Sequence, residues 1–174
     1  MDNEVILVNG EDVATGTMEK LQAHRLGLLH RAFSIFIFNS QGHLLMQKRA
    51  AGKYHSAGKW SNTCCSHPLP GEDVFDAAER RLAEEMGLHC KLHFVFKFTY
   101  FAHVSEDLAE HEIDHVFFGF CDSKPLLNPA EVSFFKYMPM ETLRVDVERQ
   151  PAMYTKWLNI CFNRVYSLYK LFLL

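Results

Sequence analysis

Six residues of this chain have the types and spacing of a metal-assisted acid–base site. They are His24, His30, Cys65, His67, Glu110 and Glu112. Cys65 and His67 lie two residues apart in the segment WSNTCCSHP, and the two glutamates are also two apart. Imidazole nitrogens and carboxylate oxygens together suit a divalent cation such as Mn²⁺ or Zn²⁺. Each histidine alone is better explained as a structural or solvated residue, so only the joint pattern indicates a site.

A second set of charges lies on a predicted helix. After Glu72 and Asp73, apolar residues recur at helical spacing as far as Met86, and Gly87 follows as a helix-ending residue. The polar face carries Arg81 and Glu85, four residues apart, which is the spacing of an ordinary helical ion pair. Taken alone, the segment is therefore equally consistent with a solvated charged helix.

The same helix resembles the second half of a Nudix box. The matching positions are Glu72, Arg80, Glu84, Glu85 and Gly87, whereas the leading glycine and one glutamate of the box are replaced by Ser66 and Arg81. A diphosphohydrolase uses the missing carboxylate to assemble the metals that activate water. An arginine in its place favours binding of a diphosphate without cleavage.

Several motifs, in order along almost the whole chain, resemble the type 1 isopentenyl-diphosphate isomerases. They are TGTMEK (15–20), HRAFS (30–34), the NxxCxHP pattern from Asn62 to Pro68, RRLAEE (80–85), Tyr100, the ExE of Glu110 and Glu112, and a late aromatic helix. The combination of NxxCxHP with ExE is far more specific than a degenerate Nudix box.

The resemblance implies an acid–base pair. Cys65 rather than Cys64 is expected to be the catalytic thiol, because it stands two before His67 as in the family's CxH pattern. Glu112, held on a metal and assisted by Tyr100, is expected to protonate an alkene, with Cys65 handling the proton on the other face. The sequence leaves the direction of each transfer open.

Two roles are possible for Trp157, a tryptophan near the carboxyl end. The resemblance implies that Trp157 stabilises a tertiary carbocation with its π face, a contact worth about 2 kcal/mol or more when desolvated. The residues before it read YTK rather than the commoner FSP. Without the resemblance, a core tryptophan of an amphipathic helix explains it almost as well.

Two cations and a basic cluster also follow from the resemblance. One Mn²⁺ or Zn²⁺ (or Mg²⁺) is expected on His24, His30, His67, Glu110 and Glu112. Mg²⁺ is expected to join the substrate diphosphate to Glu85, and the diphosphate itself is expected among Lys20, Arg49, Lys53 and Arg81. Only five residues separate His24 from His30, so their connection has to close tightly.

Composition narrows the class of protein. The 174 residues fit a single domain, and 18 basic against 21 acidic residues give a net charge of −3. This balance argues against general binding of nucleic acid or anionic membranes. The resemblance implies a small diphosphate as the partner, and we expect a monomer or weak homodimer. The amino terminus lacks the pattern of a signal peptide, and five cysteines without a CxxC pair predict free thiols in a cytoplasmic protein.

The resemblance implies an α/β (α+β) fold of the Nudix type, with a mixed central sheet flanked by helices, and the residue patterns predict the elements that position the site. An N-terminal hairpin is expected to turn at Asn9-Gly10, and residues 50–72 are expected to form a long functional loop that contains Cys65. Strands at 92–101 and 113–120 are expected to pair antiparallel across an acidic loop at 105–112, and Pro151 to start a long C-terminal helix.

Two other functions remain open at this point. A Nudix hydrolase of a nucleoside diphosphate derivative would share the fold and the diphosphate site, but it has no evident use for Cys65. A metal-stabilised binding module would use the histidines and glutamates only to hold its fold.

Overall fold

The computed structural model describes residues 3–172, which form one nine-stranded mixed sheet with helices on both faces. The strands are β1 Glu4–Val8, β2 Ala14–Glu19, β3 His30–Phe38, β4 His43–Arg49, β5 Trp60–Ser61, β6 Cys64–Ser66, β7 Leu92–His103, β8 Ala109–Phe120 and β9 Val132–Pro139. The helices are α1 Lys20–Leu26, α2 Val74–Met86, α3 Met140–Arg149 and α4 Lys156–Phe172. No helix within residues 3–172 is long and apolar enough to cross a membrane. The predicted mixed sheet, N-terminal hairpin and C-terminal helix are confirmed.

Strand β3 is the centre of the sheet. Along one edge it pairs with β8 in parallel over its full length, from His30 opposite Glu112 to Phe38 opposite Phe120. Along the other edge it pairs in turn with β1, β6 and β4. Because three different strands share that edge, short segments from distant parts of the chain meet beside one strand.

The two faces of the sheet have separate apolar cores, which follow from the period-two alternation of strand side chains. On β3, Phe36 and Phe38 pack with α3 and α4, whereas Ile35 and Ile37 pack with α2. The same alternation separates the adjacent cysteines of β6. Cys64 is fully buried in the core beneath α2, whereas Cys65 faces the side that carries α4.

The predicted turn at Asn9-Gly10 is wrong in detail. The hairpin is closed by a five-residue loop in which the Asn9 amide N–H donates to the Val13 carbonyl at 3.0 Å. The Asn9 side-chain oxygen accepts hydrogen bonds from the amides of Glu11 and Val13, and the left-handed residue is Asp12 with φ of 67°. This conformation lets the Asp12 carboxylate accept from Arg31 at 2.8 Å, a tertiary contact that the local pattern did not contain.

The loop expected at 50–72 contains two short strands, so Cys65 stands on β6 rather than in a loop. The loop expected at 105–112 is also shorter, because β8 begins at Ala109 and pairs with the end of β7. Both glutamates of the ExE therefore lie inside a strand.

Two helices were not predicted, α1 and α3. Pro151 begins a single 3-10 turn rather than the long helix, because Tyr154 then runs extended to form a bridge with Trp60. The C-terminal helix α4 begins only at Lys156.

Helix α2 begins and ends as its sequence predicts. Asp73 caps its start by accepting from the Phe75 amide, and Gly87 ends it in the left-handed region with φ of 62°. A Cβ at Gly87 would lie 2.7 Å from Leu126 Cβ and 2.8 Å from the Leu126 carbonyl oxygen. Leu126, in the segment after β8, therefore packs directly against the backbone at Gly87, where any side chain would overlap with it.

We expect Gly87→Ala to lower the free energy of unfolding by about 2–4 kcal/mol, since it combines left-handed strain with overlap against backbone atoms. Gly71→Ala is the matched control, because Gly71 also has a positive φ (79°) but nothing within 4 Å of its Cβ position. That control should lose about 1 kcal/mol. Urea unfolding measures both, and equal losses would contradict the proposed contact with Leu126.

Candidate active site

A cavity of about 240 Å³ opens at one end of β3. Eleven of the thirteen residues singled out in the sequence line it: Lys20, Arg49, Lys53, Cys65, His67, Arg81, Glu85, Tyr100, Glu110, Glu112 and Trp157. The other two, His24 and His30, are completely buried behind Glu112. The structure therefore brings residues from every part of the chain to one place.

Glu112 is the meeting point of these elements. On β8 it lies opposite His30 of β3 on one side and opposite Tyr100 of β7 on the other. His24 is supplied by α1, a short helix capped by the Glu19 side chain. The tight connection expected between His24 and His30 is made by Gly27, whose left-handed conformation turns the chain directly from α1 towards β3.

Three histidines surround the Glu112 carboxylate. The Nε2 atoms of His67, His30 and His24 lie 2.9, 3.3 and 4.0 Å from Glu112 Oε1. The ligand atoms of these four residues all lie within 4.8 Å of one another. This spacing is the geometry of a candidate metal centre.

The protonation of two rings tests whether a cation fits. The Nδ1 atoms of His24 and His30 lie 2.7 and 2.8 Å from the backbone carbonyls of Lys20 and Leu28. A carbonyl only accepts, so each Nδ1 carries the proton and each Nε2 presents a lone pair towards the carboxylate. Both Nε2 atoms are buried and have no hydrogen-bond partner among residues 3–172. Lone pairs that face a carboxylate without a proton between them fit a bound cation, and such carbonyl contacts are typical of ligating histidines.

Glu110 lies beside this group rather than within it. Its Oε1 is 3.4 Å from Nε2 of His55, and these two residues form a second group of possible ligands with His24. His24 belongs to both groups, so Glu110 lies adjacent to the candidate metal centre formed by His24, His30, His67 and Glu112. His55 was not singled out from the sequence.

The two carboxylates of the ExE have opposite electrostatic properties. Burial would raise the pKa of Glu112, but His30 and His67 hold that pKa well below its usual range when their Nε2 atoms carry protons. With Nε2 lone pairs facing the carboxylate, a bound cation has to supply that positive charge instead. Burial, reinforced by the charge of Glu112, raises the pKa of Glu110 well above its usual range. Tyr100 donates towards both carboxylates, at 2.7 Å from Glu112 and 3.1 Å from Glu110. An ionised carboxylate, a protonated one and a phenol thus share one water-poor site.

Cys65 lines the cavity from the other edge of β3, where it lies opposite Ser34. Its Sγ is 3.7 Å from Oγ of Ser61, which also lies 3.1 Å from Oγ1 of Thr155. Burial raises the pKa of the Cys65 thiol to about 12, although the positive charge of Arg49 opposes the rise. The resting thiol is therefore protonated at neutral pH.

Trp157, at the start of α4, is held by a polar contact. Its indole N–H donates to Oδ1 of Asn62 at 3.1 Å, and the Asn62 amide in turn donates to the carbonyls of Ile35 and Cys64. The guanidinium of Arg49 lies 5.2 Å from the indole centroid. Asn62 therefore couples the tryptophan to the strand that carries Cys65.

The remaining basic residues gather at the other end of the cavity. Lys53 and Arg81 both pair with Glu131, and Arg81 also donates to Glu85 at 2.6 Å. Burial, together with the nearby charges of Lys53 and Arg81, lowers the pKa of Lys20 to about 8. Glu84, Glu85 and Glu131 neutralise Lys53 and Arg81, whereas Lys20 and Arg49 form no ion pair within residues 3–172, so their charge is available to an anion.

The lining residues that the sequence reasoning missed include His55, Asp114 and Glu131. His55 lies in the segment 50–72, and the length of this predicted loop already indicated function, so the sequence did contain a reason to consider His55. Asp114 follows the ExE at the same spacing of two, and burial raises its pKa to about 8. No pattern marks Glu131, because its role arises only from contact with Lys53 and Arg81.

Comparison with known proteins identifies the class. A family model described as NUDIX domain matches residues 28–158. A crystal structure of DR0079 from Deinococcus radiodurans superimposes with a TM-score of 0.77 at 22% identity, covering 92% of this chain and 98% of that one. A MutT protein from Methanosarcina mazei Go1 gives 0.65 at 17% identity, covering 78% and 91%. The chain has the Nudix fold, which confirms the predicted class.

Closer relatives identify the family within that class. The chain is 52% identical to isopentenyl-diphosphate Delta-isomerase 2 of Aromatoleum aromaticum, over 96% of this chain and 88% of the relative. It is 49% identical to isopentenyl-diphosphate Delta-isomerase of Pectobacterium atrosepticum, over 93% and 90%. The chain belongs to the isopentenyl-diphosphate Delta-isomerase family, as its motifs predict.

The histidine group predicts that a cation stabilises the protein. We expect Zn²⁺ or Mn²⁺, added to chelator-treated protein at about 100 times its Kd, to raise the Tm by roughly 5–10 °C. His30→Ala should lose most of that rise, whereas His89→Ala, a change at an exposed histidine outside the cavity, should keep it. Calorimetry measures the shift, and an equal rise in both variants would argue against this centre.

Proposed function

We propose that this chain interconverts isopentenyl diphosphate and dimethylallyl diphosphate, with Cys65 and the Glu112–Tyr100 pair as its proton-transfer groups. Family membership supports the reaction. One geometric observation carries the assignment of roles: the thiol and the carboxylate stand on β6 and β8, which flank opposite edges of β3, and both line one cavity.

The reaction needs two proton transfers at different carbons. A proton is added to the terminal CH₂ of the alkene, and another leaves C2 as the new double bond forms. We assign the first transfer in this direction to Glu112 with Tyr100. Because Glu112 is ionised at rest, the proton comes from the Tyr100 hydroxyl, which lies 2.7 Å from that carboxylate, and Glu110, 3.1 Å from the same hydroxyl, replaces it. We assign the second to Cys65. The resting thiol first loses its proton to solvent, and the thiolate then takes the proton from C2. Because burial disfavours this thiolate, it is a strong base, and the reverse reaction exchanges the two roles.

A tertiary carbocation separates the two transfers, and the buried cavity withholds water that would trap it. Trp157 is 3% exposed and lines the same cavity as Cys65. Its aromatic face offers cation–π stabilisation in this desolvated setting. The hydrogen bond that the indole N–H donates to Asn62 holds the ring in place, so we assign Asn62 a positioning role.

The histidine group supports metal dependence. His24, His30, His67 and Glu112 would hold one Mn²⁺ or Zn²⁺ (or Mg²⁺), with Glu110 alongside. When bound, this cation supplies positive charge that offsets the buried Glu112 carboxylate and orients it. Glu85 would hold Mg²⁺ together with the substrate diphosphate, since its buried carboxylate lines the basic end of the cavity.

The basic end suits the diphosphate of the substrate. Lys20, Arg49 and Lys53 line it together with Arg81, which occupies the position of a hydrolytic glutamate in the Nudix box. Arg81 there is already paired with Glu85 and Glu131, and its fixed positive charge favours holding the diphosphate over hydrolysing it.

Proton NMR in D₂O tests the proposal. Purified protein with Mg²⁺ and isopentenyl diphosphate should form dimethylallyl diphosphate that carries solvent deuterium. Cys65→Ala should lower kcat by about 10²–10⁴ because one proton-transfer group is lost. Cys64→Ala is the matched control, since its side chain faces the core under α2, and it should stay within a few-fold of wild type.

Two outcomes would argue against the proposal. Release of phosphate instead of isomerisation would favour a Nudix hydrolase. Equal loss of activity in the two cysteine variants would contradict the separation of the two thiols on opposite faces of β6.

Lys20 predicts a pH dependence of substrate binding. Its pKa of about 8 means that it carries its charge below that pH and loses it above. KM should therefore rise several-fold between pH 7.5 and pH 9.5. Because a bound anion favours the charged lysine, the pKa of Lys20 in the complex should be higher than in the free protein. Lys20→Arg should flatten this profile, because a guanidinium stays charged throughout. Identical profiles in both proteins would remove Lys20 from the diphosphate site.

A further inference from the structure

Two half-buried cysteines lie outside the active site and take no part in the proposed reaction. Cys90 precedes β7, and Cys121 follows β8. Cys121 is nine residues beyond Glu112, which corresponds to about 30 Å along an extended strand. The two thiols therefore belong to the end of the hairpin that is remote from the cavity.

The pairing of β7 with β8 brings these two residues together. The antiparallel register sets Leu92 opposite Gly119. Cys90 and Cys121 lie just beyond the paired strands, and the same register continued by two residues on each side would set them opposite each other. Their side chains are in contact, with the two thiols within hydrogen-bonding distance. Both thiols pack against the core beneath α2, to which Leu92 also belongs. The Cys121 amide still bonds to the Phe38 carbonyl at 3.0 Å, so the chain remains on the sheet at this point.

Residues directly opposite each other in antiparallel strands have Cα atoms about 4.5–5.5 Å apart. A disulfide needs a Cα separation of about 4.4–6.8 Å, so this position meets its requirement without movement of the backbone. The segment that follows Cys121 is also anchored nearby, since the amides of Leu126 and Asn128 bond to the carbonyls of Met86 and Glu85.

We propose that Cys90 and Cys121 form a reversible intramolecular disulfide when the protein meets a low-molecular-weight disulfide oxidant. The thiolate of Cys121 attacks the reagent disulfide, forms a mixed disulfide and releases one reagent thiol. The thiolate of Cys90 then attacks the sulfur of Cys121 and releases the second. The two protein sulfurs are oxidised, the reagent is reduced to two thiols, and the two protein protons pass to them.

The environment of Cys90 sets the rate of this closure. Burial, assisted by the neighbouring Cys121 and Glu79, raises the pKa of the Cys90 thiol to about 11. Because only its thiolate attacks, closure is slow at neutral pH and accelerates as pH rises. The pair therefore stays reduced unless oxidant persists.

The cross-link would enclose about 30 residues and restrict the unfolded chain. A loop of this length predicts a rise in Tm of roughly 5–10 °C for a protein of this size. Since the site is remote from the cavity, we expect the isomerase activity of the oxidised protein to stay within about two-fold of the reduced protein.

Peptide mapping after treatment of the full chain with glutathione disulfide tests this inference. Free thiols are blocked with N-ethylmaleimide and the protein is digested with trypsin without reduction. Trypsin does not cleave between Lys124 and Pro125, so cleavage after Arg81, Lys91, Lys97 and Lys136 places Cys90 in the peptide 82–91 and Cys121 in 98–136, apart from every other cysteine. The expected product is these two peptides joined, with a Tm rise that dithiothreitol reverses.

Cys90→Ser provides the matched control. It should accumulate the glutathione adduct of Cys121 and show no rise in Tm, and Cys121→Ser should fail to cross-link as well. The inference is overturned if wild-type protein carries glutathione on Cys121 without forming the joined peptide. It is equally overturned if the Tm rises as much in Cys90→Ser as in wild type.

Discussion

The buried carboxylate of Glu112 is the constraint on which the active site depends. An ionised carboxylate removed from water costs several kcal/mol unless its surroundings compensate. Here β3 supplies His30, α1 supplies His24, the segment after β6 supplies His67, and β7 supplies the Tyr100 hydroxyl. Four parts of the chain thus contact the Glu112 carboxylate. Two imidazole lone pairs are directed at it, so a bound cation fits between them and the carboxylate.

The sheet satisfies this constraint through the pairing of a single strand. Because β3 meets β8 on one edge and β1, β6 and β4 in turn on the other, it places Glu112 and Cys65 on different sides of one cavity. The strict alternation of side chains then separates adjacent residues completely. Cys64 enters an apolar core, while Cys65 reaches the cavity one residue later. A slip of one residue in β6 would exchange the two thiols.

Electrostatics differ between the two ends of the cavity. At the closed end, burial and mutual repulsion keep Glu110 protonated beside an ionised Glu112, so a proton donor and an anion coexist within one Tyr100 hydrogen-bond network. At the basic end, Lys53 and Arg81 are paired with Glu85 and Glu131, whereas Lys20 is buried beside them without an ion pair within residues 3–172, so a bound anion would offset its charge. The site is therefore organised for a molecule with an apolar head and an anionic tail.

The sequence by itself determined the family through its motifs and their order, and it singled out Cys65 and the His/Glu group as candidates. Helical spacing with Asp73 and Gly87 predicted α2. Local patterns do not contain contacts between distant segments, so several features depended on the tertiary structure alone. These include the left-handed Asp12, the strand that carries Cys65, the pairing of Glu110 with His55, and the role of Glu131. Residue types set what each group can do; strand register and burial decided which groups meet and which of them hold a proton.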